Sequence, residues 1–238
     1  MFVALAVLAA AGCVRLGFWQ VSRLHQRRAR NALVISRLDS AEVDVSALPR
    51  DTALSRFRRA HVRGTPDYAH ELIYAARSHA GSPGVNLLTP VRIRGRDTAV
   101  LVNRGWIYAP DGATVDQVRW REGDSTFSGY VEEIPSAKGA AFVSRPNVIS
   151  RLGYDAVAHA LPYPVAPFYL VMLGDSVMRP DRIARLTVPP LDEGPHLSYA
   201  IQWFAFAGVA LVGAAVVVTQ AKRSRDVRGV HGGSDVPG

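Results

Sequence analysis

The residues best placed to do chemistry fall in three short stretches of a 238-residue chain. In GPHLSYAIQWF (194–204), His196, Tyr199 and Trp203 stand at i, i+3 and i+7, one face of a helix. A neutral imidazole beside aromatic rings at the entrance to an apolar segment can ligate haem iron or pack against a porphyrin. The same spacing suits an interfacial aromatic belt with a histidine beside it. In LGFWQVSRLHQR (16–27) and the residue before it, Arg15, Trp19, Arg23 and Arg27 recur every four residues along one helical face. Trp19 is bracketed there by guanidinium groups that can lie over its ring. A helix leaving a membrane through an Arg-rich interface and a partner-binding stripe both fit. In LVNRGWIYAPDG (101–112), strand alternation places Val102, Arg104 and Trp106 on one face and Asn103, Gly105 and Ile107 on the other. A glycine inside a strand points to a bulge or a close backbone approach, with a strand end beside a turn as the plainer reading of Gly105.

Other catalytic patterns are absent. The chain contains no GxSxG, HExxH, Walker A or GxGxxG. Its histidines, at 25, 61, 70, 79, 159, 196 and 231, lack metal-ligand spacing. Glu132-Glu133 and Asp192-Glu193 are adjacent pairs, which point apart on a strand. Asp67-Tyr68 with His70-Glu71 can be assembled into a site only as any chain of this length allows. The single Cys13 excludes a disulfide framework, a CxxC pair and a thiol copper chaperone. The chain reads as a non-enzyme, with a membrane-anchored enzyme as a minor alternative.

Long apolar segments must position these residues. Residues 197–221 carry no charged side chain, long enough as a helix to cross a hydrocarbon core of about 30 Å. Lys222, Arg223, Arg225 and Arg228 follow, which by the positive-inside rule makes residues 222–238 a cytoplasmic basic tail. Residues 1–21 form a second candidate span, interrupted by Arg15 near its end. Arg23, Arg27, Arg28 and Arg30 after it pull the following segment towards the cytoplasm, in conflict with the C-terminal span. The run LAAAGC ending at Cys13 also resembles a lipobox, whose processing would give a lipid-anchored periplasmic binding protein. The absence of a basic residue before the apolar run counts against a signal peptide, and a start codon chosen too late would explain it.

Between the spans, residues 22–54 read as a basic helical and loop connector, with 42–50 as loop, and 55–190 as one domain. Strands are expected over 56–64, 70–78, 86–95, 98–108, 125–134 and 167–176, with a short helix within 144–161. Alternation is imperfect at Phe57, Ala60 and Val62, and clean where Val91 and Ile93 alternate with Arg92 and Arg94. Gly95-Arg96-Asp97 joins two of these strands as a hairpin. The fold class is α+β: a β-rich extracytoplasmic domain with a short helix, flanked by two transmembrane helices. Net charge is +8, from 26 Arg and 2 Lys against 20 acidic residues. The arginines cluster after the spans and scatter through the strands, which fits a membrane edge and not a nucleic-acid backbone.

The three stretches, in this order between terminal spans, resemble the surfeit locus protein family of cytochrome c oxidase assembly factors. Leu16, Gly17, Trp19, Gln20 and Arg23 match its first element, with Arg27 where Lys is usual. Val102, Asn103, Arg104, Gly105 and Trp106 match the second. His196, Leu197, Tyr199, Ala200, Trp203 and Phe204 match the third, although Gly194-Pro195 replace the paired Asn that often precede the histidine. The resemblance implies a multi-pass protein of the bacterial inner membrane, with its termini cytoplasmic and its domain periplasmic. It implies a chaperone-like, non-catalytic role in haem-copper oxidase maturation, aiding haem a insertion into the catalytic subunit of cytochrome c oxidase. The haem a would be held transiently, and haem a synthase and membrane lipid are further partners. On that basis His196 is the expected iron ligand, Tyr199 and Trp203 line its face, and Arg23 and Arg104 meet propionates or the oxidase.

Overall fold

A computed structural model describes residues 1–49, 51–136, 145 and 147–231. The chain forms two compact units, one of Met1–Leu33 with Leu191–Gly238, the other of Val34–Pro190.

The second unit is a nine-stranded mixed sheet. Its strands are β1 (Val43–Asp44), β2 (Arg59–Arg63), β3 (Thr65–Pro66), β4 (Leu72–His79), β5 (Ser82–Arg92), β6 (Ala99–Tyr108), β7 (Thr126–Glu133), β8 (Val148–Ile149) and β9 (Val165–Met172). The order across the sheet is β1-β2-β7-β9-β6-β5-β4-β8, with β3 paired to β5. Two short helices accompany it, α2 (Thr52–Ser55) and α3 (Tyr154–Ala160). The central strands β5 and β6 are buried along nearly their whole length, with the polar Asn86, Thr89, Asn103 and Arg104 buried among their apolar residues. One face of β5 and β6 contributes Val91, Val100 and Val102 to a core with Phe127 and Leu170. The opposite face contributes Leu88 and Leu101 to a core that Val157 of α3 helps to close.

The expected strands all form, and the β5–β6 hairpin pairs Arg92 with Ala99. Its turn is closed by the Arg96 N–H on the Ile93 carbonyl, with Gly95 at φ 76° where a type II turn needs a positive φ. Four features depart from expectation. Residues 43–47, expected as loop, supply β1 and a 3-10 turn, because two residues suffice to add a parallel edge to β2. Phe57 precedes β2 at φ 65°, with its N–H on the Val131 carbonyl, which explains the faulty alternation there. The helix in 144–161 begins only at Tyr154, with β8 before it; residue 144, like 146, lies outside the described residues. Residues 34–54 belong to the sheet unit and not to a separate connector.

The first unit contains two long helices, α1 (Phe2–Leu38, of which residues up to Leu33 belong here) and α4 (His196–His231). Both are long and apolar enough to cross a membrane. No break separates the expected 1–21 span from the basic segment after it, so α1 runs unbroken through Cys13 and Arg15. Of the expected basic tail 222–238, residues 232–238 lie outside the described residues. The two helices meet through a narrow seam. Ala10, Gly17 and Leu24 on α1, and Ala200, Ala207 and Ala214 on α4, are buried at seven-residue intervals. That repeat is the signature of left-handed helix pairing, and small side chains let the backbones approach. Gly17 is required there: a Cβ would meet the Phe204 ring at 2.6 Å. Phe18 packs edge-on against the same ring.

Candidate functional site

The α1–α4 seam places His196 against the basic stretch of α1. Its Nδ1 lies 2.8 Å from Oε1 of Gln20, so the amide oxygen accepts from the ring, and in the neutral imidazole Nε2 is the nitrogen that carries the lone pair. Gln20 is buried, which fixes the imidazole from the protein side. Around His196 a cleft of about 390 Å³ is lined by Trp19, Arg23, Gln26, Arg27 and Arg30. Arg23 lies 5.7 Å from the Trp19 ring and donates to Gln26 Oε1 at 3.0 Å. Three guanidinium groups, one indole and one ring nitrogen with a free lone pair therefore share a single cleft. That donor set suits a planar, apolar ligand carrying carboxylates and a metal centre.

The segment leading into α4 is tied to α1 beside this cleft. Arg28 makes a bidentate pair with Glu193 at 2.7 and 2.8 Å, and Asn31 Nδ2 donates to the Leu191 carbonyl at 2.8 Å. Gly194 follows at φ 68°, a left-handed position that Gly and Asn both tolerate.

The expected site residues divide. His196, Trp19, Gln20 and Arg23 are brought together. Tyr199 is 46% exposed and Trp203 packs on Phe206, and neither lines the cleft. Gln26 and Arg30 were not anticipated as site residues, although Arg23, Arg27 and Arg30 stand at i, i+4 and i+7. Arg104 is a correction. It belongs to the sheet unit and is 0% exposed, so it presents no surface to a ligand.

The register of β6 explains why. Leu88 of β5 pairs with Asn103 while Leu87 pairs with Gly105, so Arg104 is an extra residue opposite no partner. Directly paired residues share a face, so the bulge puts Trp106 on the Asn103 side and overturns the expected Val102–Arg104–Trp106 face. Asn103 Oδ1 accepts the Gly105 N–H at 3.1 Å, and Gly105 adopts φ 128°. Gly105 thus meets both expectations for a strand glycine, since a Cβ would also collide with the Ala184 carbonyl oxygen.

The bulge delivers the Arg104 guanidinium into a buried polar network. Nη2 donates to Glu71 Oε2 at 2.6 Å and Nε to Thr89 Oγ1 at 2.7 Å, while Nη1 reaches the Trp120 carbonyl and Glu122. Thr89 in turn donates to Glu71. Arg185 closes the set by donating to Glu122 and to the Arg104 carbonyl. Two arginines and two glutamates leave the network neutral. Asp67 belongs to a separate cluster, so the Asp67-Tyr68-His70-Glu71 run splits between two.

Asp67 accepts from the Tyr163 hydroxyl at 2.8 Å and from His70 Nδ1 at 2.9 Å. Burial alone would raise the Asp67 carboxyl, but these hydrogen bonds outweigh it and hold it below the usual carboxylate range. The same burial, with the neighbouring carboxylate, pushes the Tyr163 phenol up. A depressed carboxyl stabilises the fold above its unfolded pKa of about 3.9, and loses that contribution as pH falls through the folded value. Asp67→Asn should therefore cost about 1 kcal/mol at pH 7, with the gap to the parent protein closing below about pH 4. Urea unfolding across that range, followed by tryptophan fluorescence, checks it.

Among the described residues, no group of His, Cys, Asp and Glu is placed to hold a metal by itself. The SURF1 family profile matches residues 7–208. A SURF1-like protein of Rickettsia felis is 24% identical over 202 residues, covering 82% of this chain and 86% of its own. An uncharacterised SURF1-like protein of Mycobacterium tuberculosis is 27% identical over 203 residues, covering 82% of this chain and 73% of its own. With a family match that runs from within the first apolar helix, through the sheet, into the start of the second, this chain belongs to the SURF1 family.

Proposed function

We propose that this protein is a membrane-bound assembly factor for the haem-copper cytochrome c oxidase, which holds haem a transiently before its insertion into the catalytic subunit. The observation that carries the reading is the cleft in which His196 presents Nε2 beside Trp19, Arg23, Arg27 and Arg30. If haem binds here, its iron would take a nitrogen ligand from His196 and its propionates would take guanidinium partners from Arg23, Arg27 and Arg30. Gln20 holds the imidazole in one tautomer. Arg23, Arg27 and Arg30 neutralise carboxylates, and Trp19 offers an apolar face. None of these residues needs to make or break a covalent bond, which supports a carrier and not an enzyme.

The same cleft bears on orientation. Arg23, Arg27 and Arg30 line it and Arg28 pairs with Glu193, so these arginines have work other than setting topology. Lys222, Arg223, Arg225 and Arg228, in the C-terminal part of α4 beyond its uncharged run, then carry the weight of the orientation. They favour cytoplasmic termini and a periplasmic sheet domain in the inner membrane.

Full-length protein in detergent, titrated with haem a, tests the reading. His196→Ala should abolish the His-ligated absorption signature and weaken binding by about tenfold or more, and Gln20→Leu should weaken it in the same direction. A His196→Ala variant with unchanged spectrum and affinity would refute the assignment. A deletion strain should lack assembled oxidase while still making haem a.

A further inference from the structure

The sheet unit carries a second feature that the haem reading does not use. Beside the C-terminal end of β6, two adjoining cavities of about 330 and 460 Å³ share Arg119, Trp120, Arg179 and Arg182 in their walls, forming one elongated groove. Trp106 and Tyr108 of β6 and Met178 line one half. The Trp106 indole is held rigidly, with Nε1 donating to the Arg77 carbonyl and the backbone exchanging two hydrogen bonds with Ala184.

Exposed apolar side chains concentrate at the same place. Among the described residues of 34–190 the large exposed hydrophobics are Ile35, Leu54, Tyr108, Val118, Val177 and Met178. Tyr108, Val177 and Met178 line the groove, and Val118 directly precedes Arg119 at its rim. Such clustering on one face marks an interaction site, and Trp, Tyr, Met and Arg are the residues that interfaces favour.

The charge selects the occupant. Five arginines (119, 121, 179, 182 and 185) line the groove against Glu122, Asp175 and Asp181. Glu122 is already shared by Arg104 and Arg185. Arg179–Asp175 at 3.3 Å and Arg182–Asp181 at 3.8 Å are exposed pairs, weak enough for an incoming carboxylate to displace. Arg119 lies over Trp120 at 4.9 Å, which sets a cation beside an aromatic wall.

We propose that this groove is a docking site for an acidic segment of a partner protein carrying bulky apolar side chains. Carboxylates pair with the rim arginines, and an aromatic or aliphatic side chain seats between Tyr108, Trp120 and Met178. Adjoining arginine-rich and apolar cavities favour a peptide that carries both acidic and bulky apolar side chains over a single small anion. The proposal stands independently of haem binding at His196.

The test uses full-length protein in phosphatidylcholine nanodiscs and a fluorescein-labelled peptide, Asp-Glu-Phe-Asp-Trp-Glu-Glu-Leu. Binding is expected at about 10–100 µM, and about tenfold weaker when the acids become Asn and Gln or the apolar residues become Ala. Arg179→Glu with Arg182→Glu should weaken binding about tenfold and let the Lys version of the peptide bind instead. Trp120→Ala should weaken it about fivefold with the charges intact. Equal affinity for the Ala-substituted acidic peptide would reveal plain polyanion binding and overturn the proposal. So would indifference to the charge reversal, or no binding below about 1 mM. Attraction of phosphatidylglycerol vesicles through Arg179 and Arg182, without peptide binding, would assign the groove to the membrane instead.

Discussion

Arg104→Met is expected to destabilise the sheet domain by about 3–5 kcal/mol, because it leaves Glu71 charged, buried and without its cation. Glu71 is 1% exposed, and its remaining donors are Thr89 and the Gln117 amide. Arg104→Lys should recover only part of that loss, since an ammonium cannot bind Thr89, Glu71 and Glu122 in three directions from one plane. The Arg104→Met/Glu71→Met double variant should cost less than the sum of the single changes, because it removes both buried charges together. Urea unfolding of the detergent-solubilised protein reads all of these through Trp106 and Trp120. The haem binding proposed for His196, measured on whatever fraction stays folded, should change little. Parent-like stability in Arg104→Met would mean that the network contributes nothing to the fold.

Gly105→Ala is expected to cost about 2–4 kcal/mol, combining backbone strain at φ 128° with a collision. The added Cβ would run into the Ala184 carbonyl oxygen and approach Ile183 Cγ2 at 2.8 Å, and the backbone oxygen cannot swing aside. Gly95→Asn provides the contrast. Gly95 also has a positive φ, but a Cβ there meets nothing within 4 Å, and Asn tolerates that conformation. Its cost should stay below about 1 kcal/mol. The comparison separates positive φ alone from positive φ with a crowded neighbour, and thermal unfolding of the two variants measures it.

These two residues also show where sequence reasoning ends. The Val-Arg-Ile-Arg alternation before Gly95 was legible, because its side chains report a local period of two. The bulge was foreshadowed by Gly105, but its consequence was not. A single extra residue reverses every later face of β6, so Trp106 was assigned to the wrong side. The Arg104 partners lie at positions 71, 89, 120, 122 and 185, and no local pattern links them. β1 escaped because two residues carry too little periodicity to read. In the helical unit the sequence marked Trp19, Arg23 and His196, because their spacings follow the helix. It did not show that Gln20 would meet His196 across 176 positions. The alanines of the seam were legible in principle, at 200, 207 and 214, but an all-apolar span hides a small-residue repeat. Tyr199 and Trp203 share a face with His196 by spacing, yet sharing a helical face does not put residues in the same cleft.

The Arg104 network also sets the order in which this protein can be made. Its last contributor, Arg185, comes just after the Ala184 strand bridge to Trp106 and shortly before the second apolar helix. A chain emerging from its N-terminus has both glutamates and Arg104 available by residue 122, but lacks the cation that completes Glu122 for more than sixty further residues. Before β9 (Val165–Met172) emerges the β5–β6 hairpin has an unpaired edge on β6, and until Arg185 follows its charge cluster keeps an open side. The domain therefore reaches its final packing only once Arg185 has emerged, shortly before the second long apolar helix.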